Sequence, residues 1–143
     1  MQRFSAARVA LVLVLVPSGC GSTSRITATP SVPLAERSFT PDEVEGVLRV
    51  AGLRLRETVV QGLAVFTGRK GDAYVRVHVF YGSSGMGRAK REAAAVVPSA
   101  LRHGWPAGRV GNVVYDVTPA GATRPWTVPP PVLRAITELR RVS

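Results

Sequence analysis

Carboxylates, histidines and cysteines are scarce in this chain. Its 143 residues include nine Asp and Glu against 19 Lys and Arg, which leaves a formal net charge of +10. The two histidines, His78 and His103, lack the spacing of a metal-binding motif, so we expect neither a bound metal nor another cofactor. With Cys20 as its single cysteine, the chain cannot form an internal disulfide, and its stability must come from packing.

Catalytic motifs are also lacking. The chain has no G-x-S-x-G elbow, and no serine, histidine and aspartate form a local catalytic motif. We therefore expect a non-catalytic interaction or accessory domain. The alternative is a small exported hydrolase or ligand-processing enzyme whose site forms only in the fold. A deep pocket joining His78 or His103 to Asp116 or Glu57 would favour the enzyme, whereas a shallow basic or tryptophan-bearing surface would favour the interaction domain.

The apolar run near the N terminus is too short to cross a membrane. It extends from Val9 to Val16, far below the roughly 20 residues that a membrane-spanning helix needs. Arg3 and Arg8 precede this run, and the helix breaker Pro17 follows it. A positive segment followed by a short apolar one is the layout of a secretory signal peptide, so we expect the protein to be exported.

The residues that end this segment, Pro17-Ser18-Gly19-Cys20, resemble the lipobox of bacterial lipoproteins. A helix breaker and two small residues let the chain lie extended in a peptidase site, and a thiol at the next position can accept lipid. The family favours leucine where Pro17 stands. The resemblance implies diacylglyceryl transfer to the Cys20 sulfur, cleavage before Cys20, and anchoring on the extracytoplasmic face of the cell membrane. The use of Ala, Arg, Val and Gly also resembles small actinobacterial lipoproteins of unknown function. An ordinary signal peptide or a signal anchor with an incidental Cys20 is the alternative.

Composition divides the chain into three segments: a signal peptide over 1–19, a lipidated cysteine with a flexible Ser-, Thr- and Pro-rich tether over 20–38, and one globular domain over 39–143. Because an exported protein rarely meets nucleic acid, we expect no nucleic-acid partner. Besides the membrane reached through the N-terminal lipid, the positive charge favours anionic lipid, an envelope polymer or a protein partner. A solvated basic surface without a specific partner is the alternative.

Hydrophobic periodicity over 39–143 predicts an α+β domain. Thr40, with Glu43 three residues later, predicts a capped first helix that ends at Gly52. The other predicted elements are strands near Leu53–Val60 and over Leu63–Thr67, Ala73–Tyr81 and Val113–Val117, with helices over Met86–Val97, which Pro98 disturbs or ends, and from about Pro131 to Val142.

The order of these elements predicts the topology. Strand, helix and strand between Ala73 and Val117 indicate a parallel pair joined by a crossover. The hairpin before Tyr81 is antiparallel. We therefore expect a two-layer sandwich, in which helices cover one face of a mixed sheet of about four strands.

Two further groups of residues are candidate sites. The run Gly82-Ser83-Ser84-Gly85-Met86-Gly87-Arg88-Ala89 joins a strand to a helix, which is the setting of a phosphate-binding loop. Its spacing resembles G-x-x-x-x-G-K-[ST], but Arg88 replaces the lysine and Ala89 the magnesium-binding hydroxyl, so we expect no nucleotide hydrolysis.

A candidate anion site remains at Gly82, Gly85, Gly87 and Arg88, with a flexible glycine entry into the helix as the alternative. Trp105 and Trp126, each in a proline-flanked loop, form a candidate partner surface because tryptophan is enriched at interfaces. Their alternative role is to close the ends of the core.

Overall fold

The computed structural model describes residues 36–121 and 126–143. These ranges form three helices and five strands, which are α1 (Pro41–Val50), β1 (Arg56–Val60), β2 (Leu63–Lys70), β3 (Ala73–Phe80), α2 (Gly85–Arg102), β4 (Ala107–Val110), β5 (Val113–Pro119) and α3 (Pro130–Arg141). The predicted α+β class is confirmed. The predicted signal peptide, Cys20 and the tether up to residue 35 lie outside the described residues.

Helix α1 begins with the predicted capping box. The Thr40 hydroxyl accepts a hydrogen bond from the Glu43 backbone amide at 3.3 Å, and the Glu43 carboxylate accepts one from the Thr40 amide at 2.8 Å. Pro41 occupies the first helical position, where its missing N–H costs nothing. The helix buries Val44 and Leu48 against the sheet, as the 3.6-residue period predicts.

The sheet is antiparallel throughout, with strand order β1-β2-β3-β5-β4. The predicted mixed sheet of about four strands was therefore wrong. The cause is β4, a four-residue strand of Ala, Gly, Arg and Val that the sequence pattern did not indicate. Because β4 turns back into β5 at Gly111 and Asn112, β5 runs opposite to the direction expected of it. The strand that follows α2 and runs parallel to β3 is β4, and β5 lies between them.

The helices cover both faces of the sheet, so the prediction that they share one face was also wrong. Side chains of α1 and α3 pack with Val75, Val77 and Val117 in the principal core. Ala89 of α2 packs instead with Phe80 and Val114. Alternate residues of a strand point to opposite faces, so α2 lies on the side opposite α1 and α3.

Asn112 links three parts of the fold. It is 2% exposed, and its side-chain amide donates to the carbonyl oxygens of Phe39 at 2.8 Å and Phe80 at 2.6 Å. Its side-chain oxygen accepts from the Phe39 amide at 2.6 Å. These bonds hold the segment before α1 and the end of β3 against the β4–β5 turn. All hydrogen-bonding atoms of this buried side chain are satisfied.

Helix α2 continues through Pro98 to Arg102, five residues beyond the predicted end at Val97. A proline inside a helix removes one hydrogen bond to the carbonyl four residues earlier. Pro98 and Ala94, the residue four positions before it, are both exposed, so water can reach this carbonyl. The apolar side of the helix buries Ala89 and Ala100, and these small side chains allow a close approach to the sheet.

Candidate functional site

Within residues 36–121 and 126–143, helix covers only part of one side of the sheet. Helix α2 packs mainly against β3, β4 and β5. Strands β1 and β2 form the outer part of this side, and there Thr58 and Val60 are exposed while Leu63 and Val65 are partly exposed. Strand pairing sets Thr58 opposite Val65 and Val65 opposite His78, so these residues form one row across the sheet. We call this surface, on the α2 side of β1, β2 and the adjoining half of β3, the uncovered face.

Arginines surround the uncovered face. Arg56 on β1 and Arg69 on β2 point to the same side of the sheet as Arg76 on β3, as the strand pairing shows. Helix α2 adds Arg88 and Arg91, which line an open groove of about 440 Å³ together with Leu63, His78, Phe80 and Glu92. Among the described residues, the guanidinium groups of Arg56, Arg69 and Arg91 have no carboxylate partner.

Arg76 and Asp116 form a bidentate ion pair at the inner margin of this face. The Arg76 Nε and Nη2 donate to the two Asp116 carboxylate oxygens at 2.9 and 3.1 Å. The Asp116 side chain is only 8% exposed. The hydrogen bonds to Asp116 raise the pKa of Arg76. The planar guanidinium group matches the geometry of the carboxylate, so both bonds form together. With both oxygens occupied, Asp116 is held as a structural partner of Arg76.

His78 lines the groove from the α2 side of β3. Burial lowers the pKa of His78, and the nearby positive charge of Arg76 lowers it further. Its Nδ1 lies 3.5 Å from a Glu92 carboxylate oxygen, and its ring meets Phe80 edge-on at 6.0 Å. Both effects favour the uncharged imidazole, whereas the Glu92 carboxylate acts in the opposite direction.

The four residues considered for an enzyme do not converge. His78 and Asp116 share the α2 side of the sheet, but the groove is lined by His78 without Asp116. Glu57 stands opposite Phe66 and points to the side of α1 and α3. His103 follows the end of α2, where its ring stacks on Trp105 at 4.6 Å. These positions form no pocket in which a histidine meets a free carboxylate.

The glycine loop, Gly82–Gly87, fits closely against β3. A Cβ atom at Gly85 would overlap the Phe80 carbonyl oxygen, so glycine is required for the approach of α2 to the strand end. Gly82 has a φ of +87°, which favours glycine, whereas Gly87 is exposed. Arg88 donates to the Gly62 carbonyl at 3.1 Å and lies over the Phe80 ring at 5.2 Å. Anion binding by this loop stays a prediction.

The two tryptophans belong to different parts of the fold. Trp105 is half-buried beyond the end of α2 and stacks on His103. Trp126 is also half-buried, and it packs against the principal core together with Val128. Each ring is partly used in packing, and the structure does not bring the two together in one packed cluster. Their role as a partner surface stays a prediction.

Sequence reasoning missed one residue and one ion pair that organise this region. Asn112 was not singled out, although Gly111-Asn112 between two valines is a dipeptide typical of a two-residue hairpin turn. The pairing of Arg76 with Asp116 depends on the β3–β5 register, which no local pattern encodes.

Over residues 36–121 and 126–143, no three metal-ligating side chains gather closely enough to hold an ion. None of the helices in the same ranges has the length and apolar character needed to span a bilayer. No protein-family model, no curated protein and no solved structure matches this chain, so its function must be argued from its own residues.

Proposed function

We propose that the protein is a lipoprotein anchored through Cys20 on the extracytoplasmic face of the cell membrane, and that its α+β domain is a non-catalytic interaction module. The anchor rests on the lipobox-like residues that end at Cys20. The interaction role rests on the uncovered face. There, two strands expose apolar side chains on the same side of the sheet as five arginines.

The geometry of the titratable residues favours an interaction role over hydrolysis. A general base must reach a substrate proton and needs a pKa matched to its task. Asp116 is occupied by Arg76, and Glu57 lies on the other side of the sheet. His78 lines an open groove, and among the described residues Glu92 is the one carboxylate in its lining. An open surface of this kind excludes little water, whereas most enzyme sites are enclosed clefts.

The anchor is tested by removing its acceptor. Cys20→Ala should leave the export signal intact but abolish lipidation, so the protein should move from the membrane pellet to the soluble extracytoplasmic fraction. Mass spectrometry of the wild type should find a lipid-modified N-terminal cysteine. A variant that remains in the pellet, beside a wild type without lipid, would contradict the anchor.

The interaction surface is tested by crosslinking in intact cells. A photo-crosslinking residue at Thr58 points from the uncovered face, whereas one at Glu57 points from the opposite side of the same exposed strand. We expect adducts from position 58 and none from position 57. Equal adducts at both positions, or none at either, would refute an interaction through this face. Ester or amide hydrolysis by the wild type that is lost in His78→Ala would support the enzyme instead.

A further inference from the structure

The uncovered face is about one helix wide. Neighbouring strands lie about 4.8 Å apart, so β1 and β2 together present about 10 Å. Helices pack with their axes about 8–10 Å apart. On the other side of the sheet, α1 and α3 pack against each other and share the principal core. In the described ranges α2 is the one helix on its side, and a second helix would fit beside it over β1 and β2.

We propose that this face binds an acidic amphipathic helix of a partner protein, which packs beside α2. The inference rests on the proposed interaction role and names the chemistry of the partner. The apolar side of such a helix would contact Val60, Leu63 and Val65. Its carboxylates would meet arginines at the two borders of the face, on β1 and β2 at one border and on α2 at the other.

Charge complementarity identifies the occupant. Arg56, Arg69 and Arg91 have no carboxylate partner among the described residues. The chain's own residues 1–35 contain no aspartate or glutamate, so they offer these arginines no ion pair. A second copy of the domain would set arginine against arginine, because its uncovered face carries the same charges. An acidic segment of another protein satisfies both the positive border and the apolar floor.

The recessed shape distinguishes a protein helix from a bilayer. Helix α2 has a diameter of about 10 Å and stands above the sheet beside the uncovered face. A flat membrane surface would touch α2 before it reached Val60 or Val65. A cylinder about as thick as α2 can lie on the floor of the face and still contact the arginines at its borders.

The test uses the full-length protein in a non-ionic detergent and a designed peptide of about 18 residues. The peptide has leucines at helical spacing on one side and glutamates on the other. Its controls are a scrambled peptide of equal composition and a version with lysine in place of glutamate. Fluorescence anisotropy should show binding of the acidic amphipathic peptide, at least tenfold tighter than either control. Equal binding of the scrambled or the lysine version would overturn the proposal.

Matched variants locate the binding. Val59 and Val60 are adjacent, 60% and 57% exposed, and point to opposite sides of the sheet. Val60→Ser should weaken peptide binding several-fold, whereas Val59→Ser should leave it unchanged. Equal losses from both would indicate a strand added to the β1 edge, since such a strand contacts both sides, and would overturn the helix proposal.

Charge variants separate a local site from a diffuse field. The triple variant R56Q/R69Q/R91Q removes three charges from the borders of the face. The control triple K70Q/R102Q/R141Q removes three exposed charges from other positions, including the neighbour of Arg69 that points to the opposite side of β2. Exposed ion pairs are each worth about 1.5- to fivefold in binding, so the first triple should lose about tenfold and the control less than twofold.

Four further results would each contradict the helix proposal. Equal losses from the two triples would overturn a local site. Binding to phosphatidylglycerol vesicles that displaces the peptide and is lost in R56Q/R69Q/R91Q would assign the face to lipid and overturn the protein helix. If no peptide binds while position 58 still crosslinks in cells, the helix proposal fails and the interaction role stands. If position 58 gives no crosslink either, both fail.

Discussion

Replacing Asn112 tests how the fold is held together at the β4–β5 turn. The side chain makes three hydrogen bonds of 2.6–2.8 Å, two to Phe39 and one to Phe80. Asn112→Ala removes all three and leaves one amide and two carbonyl groups to find other partners. A buried hydrogen bond contributes about 1 kcal/mol net, and an unsatisfied buried partner costs about 1–3 kcal/mol. We expect a loss of about 3–5 kcal/mol, a large part of the stability of an ordinary domain.

The measurement is urea unfolding of the full chain followed by far-UV circular dichroism. Ser99→Ala, at an exposed position within α2, is the control and should change the free energy of unfolding by less than about 0.5 kcal/mol. A loss below about 1 kcal/mol for Asn112→Ala would refute the idea that this side chain joins the segment before α1 to the sheet.

Asn112→Asp refines the same experiment. The variant preserves the side-chain shape and the acceptor for the Phe39 amide, but it points an oxygen at two carbonyl groups. Burial and these carbonyl dipoles should raise the pKa of the new carboxyl, so its proton is bound more tightly in the folded state. Stability relative to the wild type should therefore recover as the pH falls through the raised pKa. A stability difference that does not change with pH would contradict this account.

The contacts of Gly85, Thr40 and Glu36 can each be tested by one substitution. Gly85→Ala should lower the free energy of unfolding by about 1–3 kcal/mol because its Cβ overlaps a backbone carbonyl. Gly87→Ala has space around its Cβ and should raise the free energy of unfolding by about 0.5–1 kcal/mol. Urea midpoints measure both changes. Thr40→Ala removes the cap of α1 and should cost about 1 kcal/mol; an unchanged midpoint would show that the cap is not needed. The hydrogen bond from Arg109 lowers the pKa of Glu36 to about 2, so its stabilising contribution is complete above pH 4.5 and is lost as the pH falls towards 2. NMR titration should show this low midpoint in the wild type and a higher one in Arg109→Ala, where Lys90 remains as the positive partner of Glu36.

Local patterns predicted the elements whose signals lie within a few residues. The capping box at Thr40 predicted the start of α1, since both of its hydrogen bonds join residues three positions apart. Side chains alternate between the two faces of a strand, so the sequence of β3 by itself separates Val75 and Val77 from Arg76 and His78. The structure places these pairs on opposite faces. These features follow from backbone geometry that a short segment adopts in any fold.

The candidate site was predicted only in its components. The sequence showed that Arg76 and His78 share a face, and that basic residues follow the glycine loop. It did not show that Arg56 and Arg69 reach the same surface, because this depends on how three strands pair. The relation of Glu57 to the site likewise depends on register, since a shift of one residue in β1 would move it to the α2 side.

The sequence by itself determined the α+β class, the capped first helix and the two-sided character of β3, because capping groups and side-chain periods are local properties. Only the tertiary structure decided the direction of β5, the side of the sheet on which α2 packs, and the pairing of Arg76 with Asp116. The four-residue strand β4 ends at Val110, and the turn at Gly111 and Asn112 reverses the chain before β5. Its pattern was too short to detect, and it became a strand because β5 offered a partner and α2 a surface to pack on. Such stabilisation comes from residues distant in sequence, so it appears only when the whole chain is folded.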